Sequence, residues 1–515
     1  MKKYIFLLLA AGFFARLFAF AQIDFAFGSD VGLFQAWAMR IFDGGFANFY
    51  SFEPEKITTD YPPVYMYILW LIGAIRAFAQ NFFGAEWEFF HNKTFRFFTF
   101  LPAMTADLGI GFVLYKMALG RVSDCEEHSQ KETLRRGIFF ALLVAAAWIF
   151  NPAIILISSV WGQIESIFVL MLLVSLNFLR AKKLLPAYIL FGLAIFTKPQ
   201  SLFLGPVYLY SAFDFLRENF YAKNLNAKKI LHITGNIFAG IFVMVLVSLP
   251  FGLGATYKTV LTGMGMHAYS SVNAFNFWAI LGMWRELDEK LFGITYTVWG
   301  IFIALVIIFG ALFVLHFDRT RRDGKNFFLI VGVLFVVIFA FSIRMHERYL
   351  FPALLFFLAY WLENKNRREL ILYCSLSAVF FLNCLEVLRW VNIDKYDIFK
   401  SSVSVVSYVT VFLAIAAICL LVRNIFFNAR EKNETIPDSL KNPPPMRTRD
   451  YVHIAILIVA YGALAFYNLG DKNSPQSTWI ADENPVIVDF GEVANISQIQ
   501  FLMGARENIP FNLYS

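Results

Sequence analysis

GSDVGLFQAWAMRIFDGGFANFYSFEPEKITTDYPP, residues 28–63, is a polar and acidic stretch set between two strongly apolar ones. Asp30, Arg40, Asp43, Glu53, Glu55, Lys56 and Asp60 all fall within it. A loop this polar finds no hydrogen-bond partners in hydrocarbon, so it lies at a membrane surface. Asp30 and Asp60 each stand close to the end of an apolar helical pattern. The remainder of the chain reads as walls built around this segment.

Composition fixes the class. The chain has 515 residues, 59% hydrophobic and 16% charged, against about 45–50% and about 25% for soluble domains. The excess comes as repeated apolar runs of roughly 15–25 residues, the length that crosses about 30 Å of hydrocarbon. An all-α polytopic integral membrane protein follows. The net charge of +7 is no sign of nucleic-acid binding, because most Lys and Arg sit in short loops that set topology. Four cysteines and seven histidines form no cluster with metal-ligand or redox spacing. Met1-Lys2-Lys3 and the apolar run to Gln22 imitate a signal peptide. Arg16 inside the run, and the many spans that follow, favour an uncleaved first helix.

Parity tests the topology. A first span over 4–23 leaves the cytosol. If the apolar run 63–83 crossed the membrane, every later Arg/Lys cluster would lie outside. If it lies in the interface, the next crossing is 96–118, and the basic loops fall on the cytosolic side. Those loops are 120–135, 180–183, 217–229, 318–325, 363–369 and 423–449, with Lys182-Lys183, Lys228-Lys229, Arg321-Arg322 and Arg367-Arg368 among their residues. The positive-inside rule selects this second arrangement, with about 13 spans.

The loops left outside are 24–95, 151–163, 197–200, 251–295, 344–348 and 389–402. They hold Asp30, Asp60, Trp161, Gln163, Lys198, Gln200, His267, His346 and Glu347, with Glu165 just beyond. One face collects the chemistry and the other the topological charge. Residues 426–450, with Pro443-Pro444-Pro445, read as a cytosolic linker, and 451–468 as an additional span. From 469 to 515 the pattern becomes that of half-buried strands, as in Val486-Ile487-Val488-Asp489-Phe490. That tail is too short for an independent domain and reads as the start of an exterior β-sandwich.

Each candidate residue has a structural and a chemical reading. Asp30 is either a carboxylate at a helix N-terminus or a general base whose basicity burial raises. Asp60, before Tyr61-Pro62-Pro63, suits a helix start or a substrate site. Gln163 and Glu165 near a span end are an interfacial cap with Trp161 as anchor, or a functional pair, since unpaired polar groups there are costly. Lys198, in Thr197-Lys198-Pro199-Gln200, either snorkels or meets a phosphate. Arg344-Met345-His346-Glu347-Arg348 is the densest cluster, and it puts two Arg on the face where topology wants none. Arg binds phosphate oxygens in bidentate fashion; the alternative is a salt-bridged turn. Gly263-Met264-Gly265-Met266-His267, in the long late outer loop, suits a flexible cover.

These motifs carry a resemblance. An N-terminal helix, an outer loop with Asp30 and Asp60-Tyr61-Pro62-Pro63, then Trp161-Gly162-Gln163, Lys198-Pro199-Gln200 and His346-Glu347-Arg348 in that order resemble the GT-C glycosyltransferases that use polyprenyl-phosphate sugars. The likeness covers roughly 5–425 and is nearest to prokaryotic relatives of the GPI-anchor second mannosyltransferase. The dolichyl-phosphate glucosyltransferases of N-glycan assembly are a more distant likeness. It implies a GT-C-like catalytic module over 1–425 in a prokaryotic plasma membrane, with its active site facing outside. The implied reaction moves a hexose, expected to be mannose, from a polyprenyl-phosphate donor to a glycan, lipid or protein acceptor, with inversion. Asp30 is then the base and Asp60 shapes the site. Gln163, Glu165, Lys198 and Gln200 line the donor pocket, and Arg344, His346, Glu347 and Arg348 face the lipid-linked phosphate. No metal or other cofactor is implied. The tail resembles the opening of a discoidin-like carbohydrate-binding sandwich. The rival class is a transporter or flippase for a lipid-linked glycan, which would show internal repeats or spans broken at the midplane.

Overall fold

The computed structural model describes residues 2–22, 28–47, 49–50, 59–84, 92–123, 130–265, 267–393, 396–427 and the positions 448, 452, 455, 456 and 459. The linker, the additional span and the β-rich tail expected over 426–515 fall almost wholly outside these residues. The described chain is helical, with four two-residue strands. Seven helices are long and apolar enough to cross a membrane, and an eighth if the bent pair Arg135–Ile149 and Pro152–Trp161 is one span. Pro63–Phe83 is one of the seven, so its expected interfacial placement rests on the charge count of the loops alone.

The remaining crossings expected from parity are short helices. They are α7 (Glu165–Arg180), α8 (Leu184–Ile195), α9 (Gly205–Tyr221), α14 (Phe327–Phe341) and α15 (Phe351–Asn364), of 16, 12, 17, 15 and 14 residues. At 1.5 Å per residue they measure about 18–26 Å, less than the hydrocarbon thickness. Antiparallel hairpins join them, so their ends form two sets. The linkers Ala181–Lys183, Asp323–Asn326 and Lys365–Asn366 mark the basic end. At the opposite end the helices stop at 163–165, 197–204 and 342–350. The segments at that end gather around a shared space, the recess.

Packing explains how helices this short hold their places. In α14 and α15 nearly every residue is buried, including Phe328, Phe335, Leu354 and Phe356. Lipid is as apolar as Leu, so such helices associate by close packing rather than by escape from water. The contact of α8 with α10 (Ala227–Ser248) shows this: a Cβ on Gly192 would lie 2.4 Å from the Gly240 carbonyl oxygen. Only glycine permits that approach.

A second core, of Phe34, Trp37, Tyr61, Tyr65 and Phe251, joins α2 (Gly28–Gly44) to α3 (Pro63–Phe83). Pro63 opens α3 with its fixed φ. The Val64 amide then donates to the Phe196 carbonyl at 3.0 Å, which brings the 59–63 turn onto the end of α8.

Beyond Gly263 and Gly265, the late outer loop is tied to the bundle from Ser271 onward. Strand β1 (Ser271–Val272) pairs in parallel with β4 (Met345–His346). Asn276 caps the short α12 (Phe277–Leu281) and donates to the Phe339 carbonyl at 3.0 Å. Asn383 accepts from the Phe275 amide and donates to the Asn273 carbonyl. Buried amide side chains thus replace an extended sheet as the backbone's partners.

Candidate active site

Two devices shape the segment between α5 (Gln130–Ile149) and α7. Asn151 caps the four-residue α6 (Pro152–Ile155) through the Ala153 amide, and Pro152 follows at the first helical position. The chain then widens into a π-turn over Leu156–Trp161 and breaks at Gly162, with φ +80°. A Cβ on Gly162 would lie 2.1 Å from the Phe100 ring, so the backbone conformation and the space both require glycine. The break aims Trp161, Gln163 and Glu165 into the recess. Trp161 is 1% exposed, so it is a wall of the site and not the interfacial anchor its type suggests.

Asp30 lies in the first turn of α2, where the helix dipole favours a carboxylate. It accepts a 2.6 Å hydrogen bond from the Gln163 amide nitrogen. Arg348 Nη1 stands 3.9 Å from the same carboxylate oxygen, and Arg348 also pairs with Glu347 at 2.8 Å and with Glu165 at 3.5 Å. Glu165 in turn is ion-paired with Lys198. The Lys198 ammonium sits 5.6 Å from the centre of the Tyr61 ring, and the Arg348 guanidinium 5.9 Å from the Trp161 ring. Residues from separate stretches of chain thus form one charged network. Gln163, Glu165, Lys198 and Glu347 are buried, whereas the Asp30 side chain keeps 22% of its surface and Arg348 15%. Asp30 is surrounded by protein atoms, yet its side chain remains partly exposed.

Burial raises the Asp30 carboxyl above the usual carboxylate range, and Arg348 opposes the rise. The Trp161 side chain, facing the same carboxylate, also favours the ionised form. Asp60 is pushed up to about 6, by burial first and then by the charge of Asp30. The charge of Asp30 therefore bears on the titration of Asp60. His346 packs edge to face on His267, with ring centres 4.8 Å apart. Burial holds both imidazoles below their ordinary value, and Arg348 adds to this. They are neutral donors or acceptors at pH 7.

Nine of the ten residues singled out in sequence thus meet around this recess, since Asp60 faces Asp30 and Gln200 sits beside the Tyr349 hydroxyl. Arg344 enters through its main chain. It has φ +60°, and its amide donates to the Tyr269 and Ser270 carbonyls at 3.1 and 3.2 Å, which starts the β1–β4 pairing. Residues not anticipated in this role are Tyr61, Trp161 and His267. Four buried acceptor oxygens in the recess, Gln163 Oε1, Glu165 Oε2, Gln200 Oε1 and Glu347 Oε2, have no hydrogen-bond partner among the described residues.

A family model described as the ALG6, ALG8 glycosyltransferase family matches residues 46–467. The match begins after Asp30 and includes Asp60, Gln163, Lys198 and the 344–348 cluster. No curated protein matches the chain.

Proposed function

The chain belongs to the ALG6, ALG8 glycosyltransferase family, a GT-C-type family of membrane enzymes that use lipid-linked donors, and we propose that it moves a hexose from a polyprenyl phosphate to an acceptor on the non-cytosolic face, with inversion. The observation that carries this reading is the meeting of Asp30, Gln163, Glu165, Lys198, His346 and Arg348 in one recess. Asp30 is the base that takes the proton of the attacking hydroxyl. Arg348, with His346 and Lys198, meets the phosphate as it leaves. Asp60 tunes Asp30 through its charge. The unpartnered oxygens of Gln163, Glu165 and Glu347 suit sugar hydroxyls, since buried acceptors are nearly always bonded. Gathering at one end of the bundle suits a transferase better than a transporter, whose site lies near the midplane.

The orientation follows from the basic loops, which lie at the end opposite the recess. The prokaryotic plasma membrane, with the site facing outside, and a catalytic module over 1–425 are what the sequence resemblance implies, while the family match runs on to 467. The sugar is the finer question. Mannose follows from the nearer sequence likeness. The family matched, however, is that of the dolichyl-linked glucosyltransferases, and this favours glucose. The test is transfer of radiolabelled hexose from synthetic polyprenyl-phosphate glucose and polyprenyl-phosphate mannose in membranes holding the protein and a broad acceptor pool. Transfer from either donor supports the reading and names the sugar. No transfer from any polyprenyl-phosphate hexose overturns it in favour of transport.

The neighbouring carboxylates of Asp30 and Asp60 give a pH signature. The base must be ionised, so the rate falls as pH drops through the Asp30 titration. A negative neighbour raises that titration, and Asp60 is such a neighbour. Asp60→Asn therefore moves the acid limb of kcat/KM toward lower pH, a shift read from a profile that spans the acid and neutral range. A shift the other way would remove Asp60 from this role.

A further inference from the structure

Arg16 and Asp107 lie inside two apolar spans, α1 (Lys2–Gln22) and α4 (Lys93–Ser123), and both are fully buried. Arg16 Nε donates to Asp107 Oδ2 at 3.1 Å, and Arg16 Nη1 donates to the Gly12 and Ile149 carbonyls at 3.1 and 2.9 Å. Charges within a membrane span are costly, and an ion pair there is replaceable by apolar side chains without loss of fold. Their presence calls for a reason beyond stability. Hydrogen-bond partners of the pair are Gly12, Ile149 and Ser166, outside the charged network described above.

What the pair does touch is the scaffold of the site. The other Asp107 oxygen accepts a 2.5 Å hydrogen bond from the Ser166 hydroxyl. Ser166 follows Glu165 in the first turn of α7. Ser158, in the π-turn, donates to the Ile154 carbonyl at 3.2 Å and also lies against the same carboxylate. Arg16 meanwhile fastens the end of α5 through Ile149, two residues before the Asn151 cap. The stretch that carries Trp161, Gln163 and Glu165 is therefore bracketed on both sides. Two turns earlier on α4, Phe100 closes over Gly162 between the brackets. Gln163 is fully buried, and its amide is the group that holds Asp30. A displaced 161–165 segment would carry that amide away from Asp30 and Glu165 away from Lys198 and Arg348.

We infer that the Arg16–Asp107 pair is a positioning device, which through Ser166 sets the 161–165 segment so that Gln163 orients Asp30. The claim rests on the reading of Asp30 as base, and its test includes a readout that does not. The decisive variant is Arg16→Met with Asp107→Leu, which removes both charges and the acceptor together and leaves apolar side chains in apolar spans. Hydrogen–deuterium exchange of peptides covering 156–167 rises about tenfold or more in that variant, as expected for local opening, while peptides from α14 and α15 keep their rates. In the same preparation kcat falls about 100-fold, the cost of misplacing a reacting group by about 1 Å, and the donor KM stays within about threefold.

Ser166→Ala gives the same pattern at smaller amplitude and covers the case in which the double variant fails to accumulate. Ser166→Thr restores the hydroxyl and the rate. Unchanged exchange at 156–167 overturns the inference, as does a rise spread evenly over the bundle with kcat per folded molecule intact. If the wild type transfers no hexose, the reading of Asp30 falls by itself, and the exchange result still decides whether the pair holds the segment.

Discussion

Asp30→Asn lowers hexose transfer by about 10²–10⁴-fold, the range that a positioned general base contributes. The substitution is close to isosteric. The amide oxygen it introduces still accepts from Gln163 Nε2, the bond that spans 2.6 Å in the native protein. Arg348 keeps Glu347 and Glu165 as partners, so no cation is stranded. Abundance and thermal stability are accordingly expected to match the wild type, and the loss reports the missing charge and basicity alone.

The kinetic form of the loss is also specified. A base acts on the acceptor proton in the transition state, so kcat and kcat/KM fall together while the donor KM holds. Asp30→Glu keeps the carboxylate but lengthens the side chain by one methylene, which pushes its oxygens into the Gln163–Arg348 contact. It retains a small residual rate. The measurement is initial-rate transfer of radiolabelled hexose, normalised to folded protein. Equal rates for wild type and Asp30→Asn would reduce Asp30 to a helix-terminal carboxylate, and Asp60 and Glu165 would be tested next as bases.

The candidate site was legible wherever a polar residue interrupted an apolar run. Gln163, Glu165, Lys198 and Arg348 stand out in sequence because such groups are costly at span ends unless they are paired, and the structure pairs Glu165 with Lys198 and Arg348, and Gln163 with Asp30. Other members carry no such mark. Trp161 and Tyr61 are aromatic residues near a membrane surface, and a wall of a site and an interfacial anchor have the same composition. His267 reaches His346 only through pairing of two-residue strands, which are too short to leave a period. Asp107 meets Arg16 across 91 residues, and neither residue alone points to the other. Which loops share an end of the bundle was legible from loop charge, because successive hairpins return the chain to the same side. The shortness of α7, α8, α9, α14 and α15 was not, because apolar runs merge with the helices beside them. Arg344 and Arg348 look equivalent in sequence, yet the φ of +60° at Arg344 commits its main chain to the β1–β4 turn.

Arg348→Ala is the second large effect, expected to abolish measurable transfer at ordinary donor concentration. Its guanidinium touches Asp30, Glu165 and Glu347, and it is the group best placed to meet a phosphate entering the recess. A leaving phosphate gains charge in the transition state, and one preorganised donor to such charge is worth about 10²–10³-fold. On the proposed role, Arg348 meets the phosphate in the ground state as well, so the donor KM is expected to rise as kcat falls, unlike the case of Asp30. A second consequence follows from the carboxylates left behind. Arg348 opposes the effect of burial on both Asp30 and Asp60. With it gone, both titrate higher, and the acid limb of any residual activity moves to higher pH, opposite to the shift from Asp60→Asn. Glu347 loses its partner as well. Breaking a buried pair costs about 3–5 kcal/mol when the charge remains. Protonation of Glu347 relieves part of that cost, so the variant is less stable in mildly alkaline than in mildly acidic buffer. Arg348→Lys separates charge from shape. It restores a cation, and with it the wild-type pH limb, but a point charge cannot span two phosphate oxygens as the planar fork does. Its rate is expected between those of alanine and arginine. An Arg348→Ala protein with an unchanged donor KM would make Arg348 a clasp for Glu347 and leave Lys198 and His346 to meet the phosphate.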